Sequence, residues 1–297
     1  MAEAPKEEAK KEEVKQNDKS DDKKLIIISG ITSGIGAGML RKFSSMGYIV
    51  AGFGRRKENI LKLREELSIK DELLIASIDI TVEKDVTEWC SKVIDKYGTP
   101  YMVIHNAGSV IGCNKDTWEL DMKDLMTSYK IHIGGAVLLT KSLMPKMREA
   151  NSGMWINISS WAGQNAYAGG TPYVSSKFAI EGLTQCLAKE LVDLNPDNQV
   201  LACCVSPGFV NTAMLAGSFA ETCAKQQNVE NGDEWAEKTC QWILDLNTKK
   251  DDNGKLLYHG KSIGPPIEKE SMKKYCEFFK VYGVEMDYNQ YIHEPKE

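Results

Sequence analysis

Tyr173 and Lys177 stand four residues apart in the segment YVSSKFAIEGL, a spacing that on a helix places both side chains on one face. A tyrosine hydroxyl has a reference pKa of about 10, too high for ready proton exchange near neutral pH. A neighbouring ammonium favours the phenolate and lowers that pKa, so the pair could act as a general acid or base. In a chain with 11 tyrosines, about one such pair arises by chance, so the other motifs must decide.

A glycine-rich turn near the start of the chain could bind phosphate. The apolar run LIIIS passes directly into SGITSGIG, and a helical pattern begins at about Gly34. Glycines between a strand and a helix allow a pyrophosphate to approach the amides at the helix N-terminus. The residues of this turn that we expect to contact a dinucleotide are Gly30, Ser33, Gly34, Ile35 and Gly36.

The end of the second apolar run indicates which dinucleotide is preferred. An NAD-preferring site usually has Asp or Glu there to accept hydrogen bonds from the ribose 2′-hydroxyl. This sequence has Gly54, followed by Arg55, Arg56 and Lys57. Guanidinium groups without a competing acid suit a 2′-phosphate, which predicts NADP(H) as cofactor, with NAD(H) less favoured. The alternative is that these residues are only the solvated basic start of a helix.

Short apolar runs alternate with helix-length segments and would position these groups. The predicted strands are LIIIS, YIVAGF, ELLIASID, YMVIHN, MWINIS and QVLACCV, and the predicted helical segments are 34–46, 57–68, 83–97, 116–149 and 173–193. This order predicts repeated βαβ units and an α/β fold, a doubly wound parallel sheet in a single Rossmann-type domain over residues 24–264.

The composition excludes several classes of protein. With 42% hydrophobic residues and a net charge of −5, the chain has enough apolar material for a core and no basic surface for nucleic acid or an anionic membrane. No apolar run approaches the roughly 20 residues of a membrane span. We therefore expect a cytoplasmic protein with a small-molecule substrate and no nucleic-acid or membrane partner. We also expect a homodimeric or homotetrameric assembly, which the composition does not address.

The cysteines have no metal-binding pattern. They form no CxxC pair and have no suitably spaced histidines, so we expect no metal site and read them as reduced thiols. Their positions are Cys90, Cys113, Cys186, Cys203, Cys204, Cys223, Cys240 and Cys276.

Two terminal segments lie outside the predicted domain. Residues 1–23 are rich in Lys, Glu and Asp, typical of a disordered charged tail rather than a docking element. Residues 265–297 form a C-terminal extension that could be a helix packed on the domain or a flap near the active site.

Several motifs in order resemble the short-chain dehydrogenase/reductase family, in its branch of roughly 250-residue domains. Ser160 precedes Tyr173 by 13 residues, as in that family. The matching motifs are SGITSGIG (29–36), Asp79 after the third strand, HNAG (105–108), INISS (156–160), YVSSK (173–177) and PGFVNT (207–212).

The resemblance implies a role for each matching residue. Tyr173 would transfer the proton, Lys177 would support it and bond the nicotinamide ribose, and Ser160 would orient the substrate oxygen. Asp79 would bond the adenine and Thr212 the nicotinamide carboxamide, although both residues could instead cap helices. The remaining implied cofactor contacts are Asn106, Ala107, Gly108, Pro207 and Gly208.

Two residues depart from the family pattern. His105 replaces the Asn that usually opens the NNAG-type motif. His132 stands where the family carries its fourth catalytic residue, an asparagine whose backbone carbonyl helps to hold a water near the lysine. A histidine there could join the proton relay and titrate in the working pH range, or it could merely pack. The glycine pair after Ile133 permits an irregular helix at this point.

The sequence therefore predicts an NADP(H)-preferring oxidoreductase that interconverts a carbonyl and an alcohol by hydride transfer. The alternative is a catalytically impaired NADP-binding regulatory protein, which His132 would favour. A sugar-nucleotide epimerase fits less well, because GxxGxxG and a larger C-terminal domain are missing. The predicted substrate pocket is apolar, although its residues could equally be core: Trp161, Met214, Leu215 and Phe219.

Overall fold

The computed structural model describes residues 23–214 and 230–265. The expected charged tail, apart from Lys23, lies outside the described residues. The same holds for the C-terminal extension beyond residue 265, for Leu215 and Phe219 of the expected substrate pocket, and for Cys223 and Cys276.

Seven parallel strands form one sheet in the order β3-β2-β1-β4-β5-β6-β7. The order reverses between β1 and β4, where a doubly wound sheet places its ligand cleft. The strands are β1 (Leu25–Ser29), β2 (Ile49–Gly54), β3 (Ile75–Ser77), β4 (Met102–His105), β5 (Gly153–Ile158), β6 (Val200–Val205) and β7 (Ser262–Ile263).

Helices cover both faces of the sheet. Their bounds are α1 (Gly34–Ser45), α2 (Lys57–Glu66), α3 (Glu83–Tyr97), α4 (Met122–Tyr129), α5 (Gly135–Ala150), α6 (Thr171–Leu194) and α7 (Gly232–Asp245). A π-helical turn (Lys130–Gly134) joins α4 to α5. Single 3-10 turns lie at Thr117–Glu119, Trp161–Gly163 and Leu246–Thr248.

The central strands are buried on both faces, as the uninterrupted apolar runs predict. Ile26 and Ile28 of β1 pack into one core with α1, α2 and α7, whereas Leu25 and Ile27 pack into a second core with α3, α5 and α6. Every residue of β1 is fully or nearly fully buried. The predicted doubly wound parallel fold is confirmed.

The third predicted strand is shorter than expected. Of the run ELLIASID, only Ile75–Ser77 pairs with β2. The amide of Leu73 donates to Asp71 Oδ1 and that of Leu74 donates to the Asp71 carbonyl, so the chain turns there instead of extending. Hydrophobic pattern alone cannot show that a nearby Asp takes these two amides.

The predicted helical segment 116–149 is also interrupted, by the π-helical turn at residues 130–134. This turn is the irregularity that the two consecutive glycines permit. Helix α7 was not predicted, although its start carries a recognisable signal. The side chain of Asn231 accepts from the amide of Glu234, and the Glu234 carboxylate accepts from the amide of Asn231, which is a capping box.

Two further observations concern the described part of the chain. Asn211 forms a parallel bridge with Asn231, and its amide donates to the Glu230 carbonyl over 2.8 Å. Among residues 23–214 and 230–265, no helix combines the length and apolar character that crossing a bilayer would require.

Candidate active site

A cleft of about 550 Å³ opens at the carboxyl ends of the central strands. That volume lies in the range of cofactor and ligand sites. It brings together most of the predicted site residues: Gly30, Ser33, Gly34, Ile35, Gly36, Arg55, Arg56, Asn106, Ala107, Gly108, Tyr173, Lys177, Pro207 and Thr212. Ser160, His132, Asp79 and Gly208 are not part of its lining.

The glycine-rich turn forms the floor of the cleft. Gly30 has φ +77°, in the left-handed region that favours glycine. Asn106 holds the turn against β4, because its Nδ2 donates to the carbonyls of Ser29 and Gly30 at 3.1 Å each. The first turn of α1 lines the cleft and carries no acidic side chain, so an anion there meets the positive end of the helix dipole.

The two arginines after β2 are oriented differently. Arg56 lies across the turn and donates from Nη2 to Ser33 Oγ at 2.5 Å and to Thr32 Oγ1 at 3.1 Å. The side chain of Arg55 is 59% exposed and its Nη1 lies 3.9 Å from Asp79 Oδ2. Sequence reasoning missed Thr32, although it lies within the glycine-rich motif.

Close packing at Gly54 disfavours any side chain there, including an acidic one. A Cβ on Gly54 would lie 2.6 Å from Thr32 Cγ2, closer than real Cβ contacts. An Asp or Glu at this position would therefore displace Thr32. Close packing and charge together keep the end of β2 free of a carboxylate.

Asp79 is placed as a turn residue. Its Oδ1 accepts from the amide and the hydroxyl of Thr81, at 2.9 and 2.8 Å. Its neighbours Ile78 and Ile80 line the cleft, whereas Asp79 does not. The Asp79 side chain closes a turn with Thr81 and does not cap α3, whose N-cap is Val82.

Tyr173 and Lys177 line the other end of the cleft, and Ser160 lies next to Tyr173. Lys177 Nζ donates to the Ile158 carbonyl at 2.8 Å and lies 5.7 Å from the centroid of the Tyr173 ring. The Ser160 side chain hydrogen-bonds the Tyr173 hydroxyl, and Ser160 Oγ accepts from the Ala162 amide. Helix α6 therefore brings Tyr173 and Lys177 to the end of β5, where Ser160 lies.

The electrostatics of Tyr173 differ from the expectation. Burial raises the pKa of Tyr173, and the hydrogen bond from Ser160 only partly opposes this. The prediction that Lys177 lowers this pKa was wrong. The pKa is raised, because desolvation of the phenolate is the largest influence on it. Burial also lowers the pKa of Lys177 to about 8, although the charge interactions with Cys204 and Glu181 act to raise it. Near neutral pH, Tyr173 is thus a protonated phenol that can donate.

The expectation that His132 titrates in the working range was also wrong. His132 is 1% exposed, and burial lowers its pKa well below the usual range. Both ring nitrogens have protein partners, since Nδ1 lies 2.7 Å from Ser176 Oγ and Nε2 accepts from the Ser109 amide at 3.0 Å. The His132 ring meets the Tyr173 ring edge to face at 5.7 Å between centroids.

Cys113 is a neighbour of Tyr173 that the sequence did not single out. This half-buried thiol accepts a hydrogen bond from the Tyr173 amide, and its charge interaction adds to the raised pKa of Tyr173. No short-range pattern links the two residues, because they lie on different elements of the chain.

Together, the doubly wound sheet, the glycine-rich turn and the Ser160, Tyr173 and Lys177 group are the features of a dinucleotide-binding oxidoreductase. The family model described as short chain dehydrogenase matches residues 24–222. An NADPH-dependent pterin aldehyde reductase of Arabidopsis thaliana is 29% identical over 233 residues, which cover 78% of this chain and 92% of the relative.

Solved structures show the same fold. A 3-ketoacyl-(acyl-carrier-protein) reductase from Brucella melitensis, complexed with NADH, has a TM-score of 0.68 at 20% identity and covers 81% of this chain and 96% of its own. A serine dehydrogenase complexed with NADP+ has a TM-score of 0.65 at 27% identity. The match covers 75% of this chain and 89% of that chain. The chain belongs to the short-chain dehydrogenase family and is an NAD(P)-dependent dehydrogenase or reductase.

Proposed function

We propose that this protein is an NADP(H)-preferring reductase that converts an aldehyde or ketone to an alcohol, with Tyr173 as general acid. One observation carries the proposal. Tyr173, a half-buried residue of the cleft lining, is hydrogen-bonded to Ser160 and lies beside the Lys177 side chain, at the end of the cleft opposite the two arginines. The phenol is protonated at neutral pH, as a proton donor for reduction must be, and Lys177 lies close enough to stabilise the phenolate left after transfer.

The preference for NADP(H) rests on the far end of the cleft. Arg55 and Arg56 both line it, and an acid at Gly54 that would favour NAD(H) would have to displace the Thr32 side chain. The Arabidopsis relative is named as NADPH-dependent, which supports the same preference, while the Brucella structure holds NADH.

The donor groups of the cleft fit a dinucleotide phosphate. The first turn of α1 would face the pyrophosphate, Arg56 would face a 2′-phosphate, and Lys177 would bond the nicotinamide ribose. Asn106, Ala107 and Gly108 would lie along the adenine side, and Pro207 and Thr212 beside the nicotinamide. A bound reduced nicotinamide supplies a hydride to the substrate carbon.

The protein side of the reaction is proton transfer. The Ser160 hydroxyl donates a hydrogen bond to the substrate oxygen and fixes its position beside Tyr173 Oη. Tyr173 then donates its proton to that oxygen as negative charge develops there. The ammonium of Lys177 stabilises the resulting phenolate, and the Ile158 carbonyl holds Nζ in place for this.

We propose an aldehyde on an apolar or aromatic framework as the first substrate class. Met214 lines the cleft and Trp161 follows Ser160 directly, so apolar surface adjoins the proton donor. The name of the Arabidopsis relative supports testing pterin aldehydes beside simpler aromatic aldehydes.

The test is NADPH consumption by the purified protein with a panel of aromatic aldehydes, aliphatic aldehydes and ketones. Turnover of at least one class that Tyr173→Phe abolishes would support the proposal. NADPH binding without turnover on any carbonyl would instead favour the impaired regulatory protein. Equal turnover with NADH and NADPH would overturn the cofactor preference alone.

A further inference from the structure

Two buried histidines are joined through a backbone carbonyl behind the catalytic tyrosine. His105 Nε2 lies 2.9 Å from the carbonyl oxygen of His132, and His105 Nδ1 lies 3.1 Å from Ser29 Oγ. His105 is 2% exposed, and Ser29 and His132 are also buried. His105 therefore connects β1, β4 and the π-helical turn in one network.

The direction of each hydrogen bond follows from the chemistry of the partners. A carbonyl only accepts, so His105 carries its proton on Nε2 and donates to His132. His105 Nδ1 must then accept from the Ser29 hydroxyl. Ser29 Oγ itself accepts from the amides of Asn106 and Ala107, each at 3.1 Å, so its hydroxyl proton is available for His105.

The ring of His132 must be the opposite tautomer. The Ser109 amide can only donate, so His132 Nε2 is unprotonated and Nδ1 carries the proton. Nδ1–H then donates to Ser176 Oγ, whose hydroxyl donates to the backbone carbonyl of Tyr173 at 2.7 Å. Two sets of directed hydrogen bonds, from Ser29 to the His132 carbonyl and from the His132 ring to the backbone of the catalytic tyrosine, are thus joined covalently through His132.

The packing around both rings is specific. A Cβ on Gly135 would lie 3.3 Å from His105 Cε1, and a Cβ on Gly108 would lie 3.1 Å from His132 Nε2. Each imidazole therefore packs closely against a glycine. Burial also keeps both rings neutral, with the pKa of His105 lowered to about 3, as the complementary tautomers require.

We propose that His105 is a positioning residue for Tyr173, acting through the donation of its Nε2–H to the carbonyl of His132. This bond fixes the π-helical turn, and the turn fixes the His132 ring that supports the Tyr173 backbone through Ser176. The effect on catalysis rests on the proposed function. The assignment of the Nε2–H form to His105 and the Nδ1–H form to His132 does not.

The first test is independent of activity. The chain has four histidines, so two-bond nitrogen–proton NMR spectra of the nitrogen-15-labelled protein, assigned by single His→Gln variants, can identify each tautomer. At pH 7 we expect the Nε2–H form for His105 and the Nδ1–H form for His132. Any other tautomer of His105, a charged ring, or averaging of the two forms would overturn the proposal.

The second test uses two near-isosteric variants of His105. His105→Asn places an amide near the Nδ1 position, which keeps contact with Ser29 and loses the donor to His132. His105→Gln extends an amide to the Nε2 position and keeps that donor. We expect His105→Asn to lower kcat by about tenfold or more with the Kd of NADPH unchanged, and His105→Gln to retain most of the activity.

His259→Asn is the matched control. His259 Nε2 also donates to a backbone carbonyl, that of Ala188 at 2.8 Å, and its Nδ1 accepts from the Ala202 amide, away from Tyr173. It should lower Tm while leaving kcat unchanged. Equal losses of kcat in the Asn and Gln variants of His105, or in His259→Asn, would overturn the proposal.

If the protein reduces no carbonyl, the spectra still decide. In His105→Asn, the His132 ring should then show averaging of its two tautomers. In His105→Gln, it should keep the Nδ1–H form. An undisturbed His132 signal in both variants would contradict the proposed connection. If neither variant folds, the tautomers of the wild-type protein remain the deciding measurement.

Discussion

Arg56 holds Ser33 across the glycine-rich turn, with Nη2 donating to Oγ over 2.5 Å, while Arg55 extends into solvent beside Asp79. Of the two arginines, Arg56 is therefore the one already anchored at the expected 2′-phosphate position. We predict that Arg56→Ala weakens NADPH binding by about 10- to 100-fold, the range expected for a charge-assisted hydrogen bond, and leaves NADH binding nearly unchanged.

Fluorescence titration of both cofactors with both variants measures this difference. Arg55→Ala should have a smaller effect on NADPH than Arg56→Ala, because only Arg56 is bonded to Thr32 and Ser33 of the glycine-rich turn, whereas Arg55 lies 3.9 Å from Asp79. Equal weakening of NADH and NADPH in Arg56→Ala would show that this guanidinium does not recognise the phosphate.

Tyr173→Phe removes only the hydroxyl that donates the proton. Turnover should fall by about 10²- to 10⁴-fold, the usual contribution of a general acid. The Kd of NADPH should stay unchanged, since Lys177 retains its bond to the Ile158 carbonyl. Single-turnover kinetics and calorimetric binding separate the two quantities, and an active Phe variant would eliminate the proposed mechanism.

The pH dependence of reduction should depend on Lys177. Because burial lowers its pKa to about 8, the ammonium is lost as the pH rises through that value. The phenolate formed on Tyr173 then loses its stabilising charge, so kcat for reduction should decline above about pH 8.

Lys177→Arg provides the control for this limb, because a guanidinium keeps its charge throughout the range. The variant should show a lower kcat without the decline near pH 8. A wild-type kcat that stays constant through this range would contradict the assignment.

His132 should contribute no acidic limb. Its ring is buried, its pKa is well below the usual range, and both nitrogens are engaged. We therefore expect wild type and His132→Asn to show superimposable profiles of relative kcat between about pH 5.5 and 7, the region where a free imidazole titrates. A shift of the acidic limb in the variant would restore the proton-relay interpretation.

The two buried histidines should make stability depend on pH. Their pKa values are lowered in the folded protein, whereas in the unfolded chain they bind protons below about pH 6.5. Protons then favour the unfolded state, so the free energy of unfolding falls as the pH drops, by about 1 kcal/mol per pH unit for each ring.

Urea denaturation of wild type and His105→Gln at several values between about pH 6.5 and 5 tests this. The slope against pH should decrease by about 1 kcal/mol per unit in the variant, because one titrating group is gone. Identical slopes would show that His105 is not held neutral.

The parts of the site that depend on short-range pattern could be predicted from the sequence. The glycine-rich turn after β1 and the pairing of Tyr173 with Lys177 on α6 follow from spacing and from the strand or helix around them. Likewise, the absence of an acid at Gly54 is visible in the sequence itself.

The remaining properties depend on contacts between distant parts of the chain. The raised pKa of Tyr173 reflects burial, which overrides the expected influence of Lys177. Ser176 lies 44 residues from His132 and nothing in the local pattern connects them, so the network that occupies the imidazole could not be anticipated. For the same reason, the sequence favoured Arg55 as the residue that recognises the phosphate and could not show that Arg56 is the one bonded across the glycine-rich turn.

The bridge between Asn211 and Asn231 joins the two ends of a stretch of chain that begins at the residues expected to border the substrate. The Asn211 amide, which donates to the Glu230 carbonyl, and the capping box of α7 hold these two ends. In evolutionary terms, substrate preference can diverge here by replacement of one continuous segment. Apart from Thr212, the expected cofactor contacts lie outside this stretch and can be inherited unchanged.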